Sequence, residues 1–101
     1  MSENIPSTLR VKVITPQKLL FDEEVQEISL PGMDGYLGIL PGHRPLITAL
    51  GEGKITCRRR RGEEQFFIHG GYARVMPGQV LVFTELGRGE SDKESDNNVE
   101  G

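Results

Sequence analysis

Apolar and polar residues alternate along most of this chain with a period of two, the repeat of a strand rather than a helix. Leu9, Val11 and Val13 fall on one side of a pleated segment and Arg10 and Lys12 on the other, until Pro16 ends the run. A short apolar run at 19–21 is followed by acids at 22–24, which read as a turn, and then by a second run at 25–30. The stretch ISLPGMDGYLGIL places two short strands about a turn built from Pro31, Gly32, Asp34 and Gly35. Segments at 54–59, 65–69, 72–76 and 79–85 follow. Between them stand Arg61 with Gly62, Gly70 with Gly71, and Pro77 with Gly78, each pair reading as a tight turn. Residues 80–83 are apolar on both faces, which predicts a strand lying centrally between two layers. The pattern predicts an all-β fold, a sandwich or flattened barrel of about nine short strands. No segment before residue 86 has a helical period, and no C-terminal helical hairpin is expected.

Composition divides the chain of 101 residues in two. Residues 1–86 form one domain with ten basic and ten acidic side chains, so its body is formally neutral. Residues 87–101 carry the whole net charge of -3 and one aliphatic side chain, Val99. Such a segment buries too little area to offset its ordering entropy and is expected to be a disordered acidic tail; residues 1–6 are expected to fray. A neutral body offers no broad field to nucleic acid or to an anionic membrane. The single cysteine, Cys57, excludes an internal disulfide and suggests a reducing compartment. No apolar run approaches the length of a membrane span and no leader is evident, so a soluble protein without direct membrane insertion is expected.

The stretch YLGILPGHRPLITALGEGK, residues 36–54, is too apolar for a solvent loop and too rich in glycine and proline for a regular element, so it is expected to bury itself while turning sharply. Gly32, Gly35, Gly38 and Gly42 invite a phosphate-loop reading. They lack both G-x-G-x-x-G and Gly-Lys-Ser/Thr, and are better read as structural turn glycines, as are Gly70 and Gly71. At Gly38 the backbone is expected to be close-packed or at positive φ. His43 has no nucleophile or second ligand beside it: His69 lies on another strand, Cys57 has no motif around it, and a zinc site needs about four ligands. It reads as a hydrogen-bonding turn residue, and no cofactor or metal is implied. The arginines at 58–61 enter a turn and meet Glu63 and Glu64 at once, so they read as a solvated hairpin tip rather than a nucleic-acid patch. Glu23 with Glu24, and Glu63 with Glu64, are adjacent pairs that split across strand faces and make no catalytic dyad.

From about Leu9 to about Leu86 the sequence resembles the epsilon subunit of the rotary F-type ATP synthase. The resemblance lies in the order Pro31, Gly32, then Gly35-x-Leu37-Gly38-Ile39, then Pro41-Gly42-His43-x-Pro45-Leu46, with Gly70 and Gly71, and Pro77 and Gly78, in place. It implies the family's N-terminal domain, a flattened sandwich of about ten strands at the foot of the central stalk. It also implies a non-catalytic rotor role, with one side clasping the gamma subunit and one end resting on the membrane ring of c subunits. The ring contact would fall on Met33, Asp34, Gly35 and Tyr36, with His43 nearby. The place implied is the cytoplasmic face of a bacterial inner membrane, held there through the complex. Many members continue into two C-terminal helices that in some bind ATP. Here the tail has no apolar helical stripe, so this is expected to be a short form without nucleotide binding. A free-standing β-sandwich that binds another protein is the alternative.

Overall fold

Alternating β-branched and aliphatic residues build seven strands. These are β1 (Leu9–Ile14), β2 (Leu19–Val25), β3 (Glu27–Gly32), β4 (Gly35–Ile39), β5 (Leu46–Arg59), β6 (Gly62–Met76) and β7 (Gln79–Leu86). The computed structural model describes residues 6–86; the expected tail at 87–101 and residues 1–5 of the start expected to fray lie outside the described residues. All strands belong to one sheet in the order β2-β1-β7-β6-β5-β3-β4, with β1 and β7 parallel and every other pair antiparallel. β7 is an interior strand flanked by β1 and β6, but it does not lie between two layers as its two apolar faces suggest: Val80 and Val82 face the core, while Leu81 and Phe83 lie half-buried on the outer face.

The sheet folds over on itself because β5 and β6 each serve both layers. The first half of β5 pairs with the second half of β6, which continues into β7, β1 and β2. The second half of β5 pairs with the first half of β6 on one side and with β3 on the other. Along β5 the buried positions change from Leu50 to Ile55 and Cys57; along β6 they change from Ile68 to Ala73 and Val75. The inward face therefore switches between even and odd positions while the β5–β6 register stays unbroken. Glycines occupy the switch: Gly51 and Gly53 in β5, and Gly70 and Gly71, at φ +84° and +124°, in β6. The β6–β7 register slips there, and the buried Thr84 hydroxyl donates to the Gly70 carbonyl at 2.5 Å. A Cβ on Gly71 would stand 2.1 Å from the Phe83 carbonyl oxygen.

Both layers bury one aliphatic core that includes Leu9, Val11, Val13, Ile28, Leu30, Ile39, Ile55, Ile68, Val80 and Val82. Phe21 of β2 meets Phe66 of β6 edge to face across it, with centroids 5.4 Å apart. At one mouth of the core the inward positions become charged. Arg59 donates to Glu23 of the edge strand β2 at 2.9 Å and to Glu64 of β6 at 3.3 Å. An inward-facing charge on an edge strand discourages pairing with another chain, and here it also ties the layers together. The hydrogen bond to Glu23 holds the Arg59 guanidinium above its ordinary pKa. Cys57, fully buried behind it, has its thiol pushed up to about 12, chiefly by burial and then by Glu64.

Three expectations are corrected. The acids at 22–24 are not a turn: they lie within β2, where Asp22 and Glu24 accept from Arg10 and Glu23 accepts from Arg59, so pairing removes the reason to turn. Gly70 and Gly71 are not a hairpin turn but a bend inside one continuous strand. That continuity, with the fusion of 46–53 to 54–59 in β5, reduces nine to ten short strands to seven. Gly38 lies inside β4 without positive φ, and a Cβ there would meet only a Glu27 carboxylate oxygen at 3.6 Å.

Gly71→Ala is therefore expected to destabilise the protein by about 3 kcal/mol or more, because backbone lies where the methyl must go. Gly38→Ala should stay within about 1 kcal/mol of wild type. Urea melts of the two variants check this, and the reverse order would contradict the bend. The Cys57 thiol should resist alkylation at pH 8 at the rate set by global unfolding. Because its folded pKa lies above the ordinary value of about 8.5, its contribution to stability is complete below that value and is lost as pH rises towards about 12. Urea midpoints of wild type and Cys57→Ala should accordingly converge as pH is raised above about 9.

Candidate functional site

The β3–β4 hairpin presents the most exposed tip among the candidate residues. Pro31 pairs with Tyr36 and Gly32 with Gly35, leaving Met33 and Asp34 as the two-residue turn. Gly35 opens β4 at φ +133°, a value that a side chain rarely adopts. A Cβ on Gly32 would stand 2.8 Å from the Gly35 carbonyl oxygen, so the tight crossing needs a glycine there too. Met33 is 68% exposed. A shallow hollow of about 210 Å³ beside it is lined by Gly32, Asp34, Leu37, Thr48 and Ala49 among others.

Tyr36 is more than a tip residue. Its ring is 60% exposed, yet its hydroxyl accepts the backbone N–H of Lys54 in β5 at 3.0 Å. His43 is not brought to this tip. It lies in the loop between β4 and β5, at the other end of β4, half-buried. Its N–H donates to the Leu40 carbonyl at 3.1 Å, while the Gly42 N–H donates to the Pro77 carbonyl at 2.8 Å. The ring donates from Nδ1 to the Arg44 carbonyl at 2.7 Å. Gly42 stands in the turn at φ +91°. The candidate ring-contact residues thus occupy two separate places, 33–36 at one end of β4 and His43 at the other.

The stretch 36–54 does not bury itself throughout. Ile39 and Leu50 reach the core, but Leu40, Leu46 and Ile47 are exposed. Register explains this. On the outer face of the layer that contains β7, one row runs Ile14, Phe83, Tyr72, Ala49, and the next runs Lys12, Leu81, Arg74, Ile47. Tyr72 and Phe83 stack with centroids 5.0 Å apart. Above them an open groove of about 600 Å³ is lined by Ile14, Pro16, Gly71, Tyr72, Phe83 and neighbours. This apolar face went unassigned in the sequence. The two-faced apolarity of 80–83 signalled it, but the cross-strand register that gathers the row could not be read from one strand. Of the arginines at 58–61 only Arg60 and Arg61 form the hairpin tip; Arg58 and Arg59 lie within β5, where Arg58 pairs with Glu27 and the inward Arg59 with Glu23 and Glu64. Among the described residues no three His, Cys, Asp or Glu side chains gather in a metal-binding arrangement, and no helix is long and apolar enough to cross a membrane.

A sheet folded over at two glycine bends, with one apolar outer face and an anchored hairpin tip, defines a small β-sandwich domain. The family profile described as ATP synthase, Delta/Epsilon chain, beta-sandwich domain matches residues 8–86, and the chain belongs to that family. It is 41% identical over 80 residues to the ATP synthase epsilon chain of Moorella thermoacetica, covering 78% of this chain and 60% of that one. It is 46% identical over 83 residues to the ATP synthase epsilon chain of Synechocystis, covering 79% and 61%. The chain thus spans about 60% of the length of these relatives. A chain of the Euglena gracilis mitochondrial ATP synthase, solved with OSCP, F1 and c-ring, shares the fold with a TM-score of 0.76 at 24% identity, over 96% of this chain and 67% of that one.

Proposed function

We propose that this chain is a non-catalytic rotor domain of an F-type ATP synthase, joining the gamma subunit to the c ring so that ion flow and ATP synthesis share one rotation. The observation that carries the reading is the family match over residues 8–86, which takes in every strand of the sandwich. Two surfaces suit the two contacts. The hairpin tip at Met33 and Asp34, which projects from the sheet without contributing to its core, fits the polar loops of a c ring. The outer face bearing Tyr72 and the half-buried Phe83, with exposed Ile47 in the next row, fits the gamma subunit, since exposed large apolar side chains suit burial by a partner. The protein then works at the cytoplasmic face of a bacterial inner membrane, held there only through the complex. It needs neither nucleotide nor metal: its task is mechanical, and a stiff sandwich transmits displacement with little loss.

Affinity purification from detergent-solubilised membranes should recover the alpha, beta, gamma and c subunits with this chain. A soluble complex lacking them would identify a free-standing binding module instead. Paired Met33→Ala and Asp34→Ala changes should leave the urea midpoint within about 0.5 kcal/mol of wild type, as exposed turn positions do. They should lower ion pumping per ATP hydrolysed in reconstituted vesicles. Normal assembly and normal pumping would show that the tip does not meet the ring.

A further inference from the structure

The β3–β5 ladder is interrupted where the hairpin begins. Glu27, Ile28 and Ser29 pair with Arg58, Cys57 and Thr56; pairing then resumes only between Gly32 and Leu50. β5 covers Thr56 to Leu50 while β3 advances only from Ser29 to Gly32, so the Gly51–Gly53 bend bows away from a β3 partner. Pro31 stands in that gap and has no N–H to offer. The Lys54 N–H lacks a β3 carbonyl, and the Tyr36 hydroxyl takes its place as acceptor at 3.0 Å. The fit is close: a Cβ on Gly53 would stand 2.5 Å from the Tyr36 hydroxyl oxygen and 2.9 Å from the Pro31 Cβ. Gly53 is thus a glycine because Tyr36 lies across its backbone. On the other side of the turn, Met33 leans on the same bend, with its Sδ 3.7 Å from where a Gly51 Cβ would be.

We propose that Tyr36 is the positioning residue of the hairpin, a strut that passes load at the Met33 and Asp34 turn directly into the bend of β5. The inference rests on the rotor reading for the origin of that load. The β3 side of the turn is tied to β5 by the Gly32–Leu50 pair. The Tyr36–Lys54 bond ties the β4 side as well, so both arms of the hairpin move with β5, a strand that spans both layers. The exposed ring face remains available to a partner while the hydroxyl stays bound, so the contact surface is pre-organised.

Tyr36→Phe removes the acceptor and keeps the ring. In the full chain, hydrogen exchange of the Lys54 amide should quicken about tenfold, the factor that loss of one backbone hydrogen bond gives, with the global melt little changed. Unchanged exchange at Lys54 would overturn the strut. In reconstituted enzyme, Tyr36→Phe should assemble like wild type, yet lose a larger fraction of its pumping per ATP against an opposing ion gradient than at zero gradient. A residue with only a structural role would lower assembly instead, or leave loaded and unloaded pumping equally affected; either result would overturn the proposal. Should wild-type chain fail to enter the enzyme at all, the rotor reading falls and the load path with it. The exchange result distinguishes that failure from a hydroxyl that anchors nothing.

Discussion

The fold depends on backbone lying against backbone at Gly71. The Phe83 carbonyl occupies the space that any side chain on residue 71 would need. That contact lets β6 leave one layer and enter the other without a turn, and β5 follows it in unbroken register. A chain of this size has little apolar area to bury, and a sheet folded on itself encloses one core with seven strands where two separate sheets would need more edges. The bend also frees backbone polar groups, and two of them are met by side chains: Thr84 covers the Gly70 carbonyl and Tyr36 the Lys54 amide.

Charge is used at the margins of this core rather than as a field. Asp22, Glu23 and Glu24 make β2 look like a turn in the sequence, yet they seal an edge strand against Arg10 and Arg59. The same pairing absorbs part of the arginine run at 58–61. What remains on the outside is a neutral body with one apolar outer face and one protruding hairpin, the two features on which the proposed contacts with gamma and the c ring rest. Proper transmission between them needs the hairpin to be stiff, and for that reason the anchoring of Tyr36 matters more than its exposure.

The strands themselves were legible because alternation survives in short windows: Leu9, Val11 and Val13 all point inward as read, whereas the second apolar face of β7 lies outside the core rather than between two layers. What failed was continuity. Two adjacent glycines signal a turn to any local rule, and only the contact with Phe83 and Thr84, distant in sequence, shows that Gly70 and Gly71 bend a strand instead. Gly38 failed in the opposite sense, since a glycine among motif glycines looked close-packed and faces only the end of Glu27. The turn at Met33 and Asp34 was visible in its Pro-Gly and Asp-Gly flanks. The separation of His43 from it was not, because that distance is set by how β4 lies in the sheet. Nor could the outer row through Tyr72 and Phe83 be assembled, since it is made by register between strands far apart in sequence.

The central claim is that the hairpin tip faces the ring in the assembled enzyme while the opposite end of the domain does not. Cysteine cross-linking in membranes tests it most directly, because the native Cys57 is buried and its thiol stays protonated. A cysteine at Asp34, at the tip, and one at Arg61, in the β5–β6 turn beyond the other end of β3, provide the comparison. Asp34→Cys should cross-link to the c subunit and Arg61→Cys should not. Cross-linking to c from Arg61→Cys alone, or from neither position in an enzyme that contains the chain, would contradict it.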